Sequence, residues 1–134
     1  MDKCKFCDPT IYEKEGIIKN KSCIFLSSEE YNPKGVLIGS GIIIPFAHKE
    51  TPFELTDEEV VDMFTLLKEV KKYLDKKFKP DGYSIGWNVG KASDQIEKHV
   101  HLHIIPRYND EPLAGKGIRY FLKQKSNRRE SYDI

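Results

Sequence analysis

Three of the four histidines in the chain fall within seven residues, His99-Val100-His101-Leu102-His103-Ile104-Ile105. Strict alternation is a strand signature, because successive side chains point to opposite faces. Val100, Leu102 and Ile104 then face a core, and His99, His101 and His103 share the other side. A core face has little use for three imidazoles, each needing hydrogen-bond partners when buried. A merely solvated strand face would use Thr, Lys or Glu, so the pattern points to chemistry. Strand rise puts neighbouring histidines about 6.6 Å apart and the outer pair about 13 Å apart, so the three need not serve one atom. Two chemistries compete. In one, a His-x-His pair grips a catalytic zinc with an open position for water. In the other, one imidazole attacks phosphorus and forms a phosphoramidate that water splits, its ring oriented by a hydrogen bond from the second nitrogen.

A second group of donors lies far upstream. Cys4-x-x-Cys7 offers two corners of a tetrahedral metal site, and His48, isolated after Pro45-Phe46-Ala47, offers a third. One histidine of the triad would close it. Such a Cys₂His₂ set leaves no position for water and is structural, anchoring the N-terminal segment to the sheet. Cys23, flanked by Ser22 and Ile24, is an odd third cysteine and reads as a buried apolar filler. Upstream of the triad, Gly86-Trp87-Asn88-Val89-Gly90 suits a backbone that approaches a ligand closely, and Gln95 precedes His99 by four residues. Asn88 and Gln95 can donate to phosphate oxygens without adding charge.

The elements that must position these groups are legible in outline. Residues 1–12 read as irregular, with Asp8-Pro9 as a turn signal. Segments 22–27, 35–45, 83–89 and 99–106 read as strands. Thr56-x-x-Glu59 is a capping box that opens a helix running from Asp57 to about Phe78. Val60, Phe64, Leu67, Val70, Leu74 and Phe78 form its expected apolar stripe. Lys79-Pro80-Asp81-Gly82 ends it. The order predicts an α+β fold, an antiparallel sheet with a helix on one face.

A length of 134 residues fits one domain spanning 1–134. No apolar run approaches the ~20 residues of a membrane span. The opening Met1-Asp2-Lys3-Cys4-Lys5 lacks the apolar stretch of a signal peptide, which points to the cytoplasm and to reduced cysteines. The net charge of +1 argues against a dedicated nucleic-acid binder. Residues 107–134 nevertheless form a basic tail, with 7 Lys/Arg against 4 Asp/Glu and all four arginines. It is either a solvated tail or a contact for a polyanionic ligand.

With these residues in view, the chain resembles the histidine-triad (HIT) family. The run from His99 to Ile105 copies the family signature His-φ-His-φ-His-φ-φ, where φ is apolar. Pro106-Arg107 continues it as in bacterial members, and the likeness extends from Cys4 to about Arg119. It implies a sheet of about five antiparallel strands with one long helix packed on it. It implies His101 as the nucleophile toward an α-phosphorus, His103 as the residue supporting the nucleotidylated intermediate, and Gln95 near the leaving group or attacking water. It also implies one structural zinc per chain on Cys4, Cys7, His48 and His99. Asn88 matches a phosphate-side residue, Asn32 a ribose-holding position and Phe6 an aromatic at the base pocket. Members form homodimers that join two sheets and pack the long helices together, and a purine nucleotide is the implied substrate. Four positions depart from the common pattern: Ile38 for a Pro, Ser40 for a His, Asp94 for a Gly and Ile96 for a small residue. The segment Gly115-Lys116-Gly117-Ile118-Arg119 resembles a motif of bacterial members that hydrolyse diadenosine polyphosphates.

The leading function is therefore an enzyme releasing a nucleoside monophosphate from a dinucleoside polyphosphate or a nucleoside phosphoramidate. A nucleotide sensor with the same pocket and negligible turnover is the alternative from the binding class. A catalytic-zinc hydrolase is the third.

Overall fold

The computed structural model describes residues 4–28 and 32–131. The outermost ends of the expected N-terminal segment and basic tail lie outside them. In chain order the elements are α1 (Pro9–Glu15), β1 (Gly16–Lys19), β2 (Cys23–Leu26), β3 (Gly41–Pro45), α2 (Asp57–Phe78), β4 (Gly82–Trp87) and β5 (Leu102–Arg107). The five strands form one antiparallel sheet in the order β1-β2-β3-β5-β4. The fold is α+β, as expected.

The long helix starts as its capping box requires. Glu59 donates its amide to Thr56 Oγ1 at 3.1 Å, and the Thr56 amide donates to Glu59 Oε1 at 2.8 Å. Lys79 ends it in the left-handed region, with φ +51°. The buried face is Glu59, Met63, Leu66, Val70 and Leu74, so of the expected stripe Val70 and Leu74 are buried, and Leu67 and Phe78 pack against the core in part. Val60 and Phe64 are about half exposed, at 49% and 57%. Apolar residues populate more than one face of α2, and periodicity alone did not tell which face meets the sheet.

Each face of the sheet carries its own cluster. On one, Met63, Leu66, Val70 and Leu74 meet Phe25, Ile43, Leu102 and Ile104. On the other, the N-terminal segment lays Phe6 over Ile24, Leu26 and Ile44. β2 is therefore buried along its whole length, and Cys23 sits at 0% exposure as the expected apolar filler, its thiol pushed up to about 12 by desolvation.

Three boundaries are corrected. The segment read as irregular holds α1, in which the Asp8 carboxylate caps Thr10 N at 3.0 Å and Pro9 takes the first helical position. Asp-Pro serves as N-cap and N1 as readily as it serves a turn. The strand expected from Gly35 starts only at Gly41, because Gly35, Leu37 and Gly39 all adopt positive φ. The triad strand begins at Leu102, leaving His99 to His101 outside the ladder, with His99 in a bend. β1 was not foreseen, being four residues with no alternation strong enough to mark it.

Candidate active site and metal centre

The residues ahead of β5 are held by two backbone carbonyls of the 49–50 segment. Val100 N donates to Lys49 O at 2.7 Å, and Gln95 Nε2 donates to Glu50 O at 2.7 Å. This tether brings His99 beside Cys4, Cys7 and His48, whose ligand atoms all lie within 4.8 Å of one another. His99 Nδ1 is 3.3 Å from Cys4 Sγ and 3.5 Å from Cys7 Sγ, and His48 Nδ1 is 3.3 Å from Cys7 Sγ. His99 is fully buried, and its Nε2 lies 2.8 Å from Pro45 O. Placing the proton on Nε2 satisfies that carbonyl and leaves the Nδ1 lone pair among the sulfurs, as a metal ligand requires. Desolvation, opposed by the Pro45 contact, holds the His99 imidazole below its ordinary range. Desolvation, and then the hydrogen bond and charge of the neighbouring Cys4 thiol, push Cys7 up to about 11. A divalent cation is what converts such a pair to thiolates. Two sulfurs and two imidazole nitrogens converging in this way can hold a metal ion, and the four expected ligands are the four brought together.

His101 and His103 lie immediately beyond. His101 Nδ1 is 2.8 Å from His99 O, so an Nδ1–H donates there and leaves Nε2 with its lone pair. The two rings stand 4.9 Å apart, and the Phe6 ring lies 5.6 Å from His101. In register, His103 sits between Ile42 of β3 and Gly86 of β4. Its Nε2 is buried without a hydrogen-bond partner among the described residues, and burial first, His101 second, keep the ring below its ordinary pKa. Both histidines line a cavity of about 450 Å³, with Phe6 and Asn32 also on its wall.

The other expected groups lie elsewhere. Gln95 is occupied by backbone: its Oε1 accepts from Gly90 N at 2.9 Å, and its Nε2 donates to Glu50 O and to Glu97 O. It stitches the 90–97 loop, while Ile96 and Glu97 line the cavity in its place. Asn88 is exposed past the end of β4 and is not among the lining residues. Asp94 has φ +66°, which accounts for its departure from the family pattern: the position needs the left-handed region, where Gly is the default and Asp is tolerated. Arg107 is committed internally, donating to Glu111 Oε1, Ser84 Oγ and the carbonyls of Leu113 and Lys116. Of the cavity wall, sequence reasoning missed Glu15, because nothing in its local pattern marks a pocket.

A four-donor cluster beside paired histidines on the wall of a cavity makes a candidate small-ligand site on an antiparallel α+β scaffold. The HIT domain model matches residues 18–110, and the chain belongs to the HIT family. An adenosine 5'-monophosphoramidase of Schizosaccharomyces pombe is 37% identical over 59% of this chain and 56% of its own length. The chain thus spans little more than half of that relative. A bis(5'-adenosyl)-triphosphatase of Dictyostelium discoideum is 31% identical over 73% of this chain and 68% of its own. Among solved structures, a HIT family protein of Bacillus anthracis superposes with a TM-score of 0.68 at 26% identity, covering 81% of this chain and 76% of the other.

Proposed function

We propose that this protein is a nucleotide hydrolase that cleaves nucleoside phosphates at the α-phosphorus through a covalent intermediate on His101. The observation that carries the reading is the 2.8 Å contact from His101 Nδ1 to His99 O, with the ring on the cavity wall beside His103. The contact fixes the tautomer, so Nε2 carries the lone pair that attacks phosphorus. The N–P bond forms as the bond to the leaving group breaks; a phosphate departs as its anion, and an amine departs with a proton taken from solvent. The His99 carbonyl then stabilises the positive imidazole. Water attacks the same phosphorus, the N–P bond breaks, and a nucleoside monophosphate leaves. His103 supports the phosphoryl oxygens, Phe6 packs on a purine, and Asn32 holds the ribose. Asn88 serves the phosphate side, and Gln95 the leaving-group side through the loop that it ties. The Schizosaccharomyces and Dictyostelium relatives favour P–N and dinucleoside polyphosphate substrates respectively.

Cys4, Cys7, His48 and His99 would hold one structural zinc, whose two-sulfur, two-nitrogen donor set suits that ion. When bound, it ties the N-terminal segment to the residue whose carbonyl orients His101. No helix among the described residues is long and apolar enough to cross a membrane. We place the protein in the cytoplasm, where thiol ligands stay reduced. The test is turnover of a diadenosine polyphosphate and an adenosine phosphoramidate by wild type and His101→Asn. Release of monophosphate by the wild type alone supports the reading. Tight nucleotide binding with no turnover of either substrate would favour the sensor.

A further inference from the structure

Glu15, the last residue of α1, is 6% exposed, and its Oε1 is buried with no hydrogen-bond partner among the described residues. Buried acceptors are almost always satisfied, so one left open on a cavity wall asks for a donor from a ligand. Its place is firmly set. A Cβ on Gly16 would meet Tyr12 O at 2.3 Å and Ile24 Cδ1 at 2.8 Å, so the turn from α1 into β1 is pressed onto β2. The Glu15 carbonyl also accepts from Ser27 N at 3.1 Å.

Glu15 lines the same cavity as His101 and His103, among the apolar walls of Phe6, Leu26 and Ile42. Ser27, Ser28, Asn32 and Ser40 line both this cavity and a neighbouring groove, so the neutral polar groups sit at the boundary of the two. Glu15, Phe6 and Leu26 belong to the histidine cavity alone. A planar base suits those apolar walls, and the boundary hydroxyls and amide suit a sugar.

We propose that Glu15 reads the nucleobase and selects guanine. An ionised carboxylate only accepts, and its two oxygens match two adjacent donors. Guanine presents N1–H beside its 2-amino group. Adenine presents its 6-amino group beside the N1 lone pair, which a carboxylate oxygen repels. Cytosine has the same donor–acceptor mismatch, and uracil offers a single N–H between two carbonyls. The inference rests on the nucleotide-hydrolase reading above and adds its base preference.

Calorimetric titration of the metal-loaded wild type with GMP, IMP, AMP and 2'-deoxy-GMP tests it. GMP should bind at least ~10-fold tighter than AMP, with IMP between them, and loss of the 2'-hydroxyl, a group that Asn32 is proposed to hold, should weaken wild type and Glu15→Gln by the same factor. Glu15→Gln presents one acceptor and one donor, so it should weaken GMP by about 10-fold and bring AMP level or ahead. AMP binding as tightly as GMP to the wild type overturns the base preference and leaves the hydrolase reading intact. A 2'-deoxy penalty that is present in wild type and disappears in Glu15→Gln also overturns it, by placing Glu15 on the sugar. If none of the four binds, the nucleotide reading falls with it. The wild-type series decides the matter even where the variant fails to fold.

Discussion

At the scale of single residues, three histidines of one type have three different surroundings. His99 is fully buried among the sulfurs, His101 is oriented by a backbone carbonyl, and His103 is partly buried, with its Nε2 enclosed and unpartnered among the described residues. Their substitution should give three phenotypes. His101→Asn removes the attacking nitrogen and should fold normally, bind nucleoside monophosphate and lose at least about 10³-fold in turnover. His103→Asn removes a contact to the transferred group and should cost about 10²-fold. His99→Asn should lower metal content and melting temperature together, read by elemental analysis and calorimetry. Equal losses from all three at full metal content would contradict this division of labour. His103 also carries a pH dependence. Its pKa in the folded chain lies below the ordinary 6.5, so the unfolded chain binds the proton first as pH falls. Stability is complete above about pH 6.5 and is lost as pH falls through the lowered value. Urea midpoints of wild type and His103→Asn between pH 7 and 5 should therefore diverge, with the wild type falling further. Parallel curves would show that burial of this ring has no such cost.

At the scale of elements, the triad is placed by contacts that lie away from its own strand. The Lys49 and Glu50 carbonyls hold the approach to His99, and the N-terminal segment supplies Cys4, Cys7 and Phe6 from the far end of the chain. A metal ion there would cross-link the two. Purified protein should carry about one zinc per chain, and chelation should lower its melting temperature by about 10 °C or more, with turnover lost only as the fold loosens. Loss of turnover at once in folded, chelated protein would instead favour a catalytic metal. The alternation of imidazole and aliphatic residues made the triad and its core face readable, since it survives even where His99 to His101 leave the ladder. The four metal donors were readable from residue type and the family pattern together. Other features depended on tertiary context. The inward face of α2 depends on which of two apolar stripes meets β2 and β3. The engagement of Gln95 with Glu50 spans 45 residues, and Glu15 becomes a cavity residue only through the packing of Gly16 on β2.

At the scale of the whole molecule, β4 ends the sheet with Ile85 and Trp87 partly exposed, and α2 turns Val60, Val61 and Phe64 to solvent. A sheet edge unpaired among the described residues and an exposed apolar helix face are what a second copy would cover. We expect a homodimer in which the β4 edges and α2 helices of two copies meet. Sedimentation at tens of micromolar should give twice the 15.5 kDa of the chain, and Phe64→Asp should shift it toward monomer. A wild-type monomer under those conditions would overturn the dimer.

The covalent bond to His101 is read by mass spectrometry of metal-loaded enzyme quenched with base during turnover of a dinucleoside polyphosphate. The account predicts a nucleoside monophosphate adduct on the peptide carrying His101, absent from His101→Asn. Rapid turnover in which no such adduct forms at any quench time, with His101→Asn as active as the wild type, would contradict it.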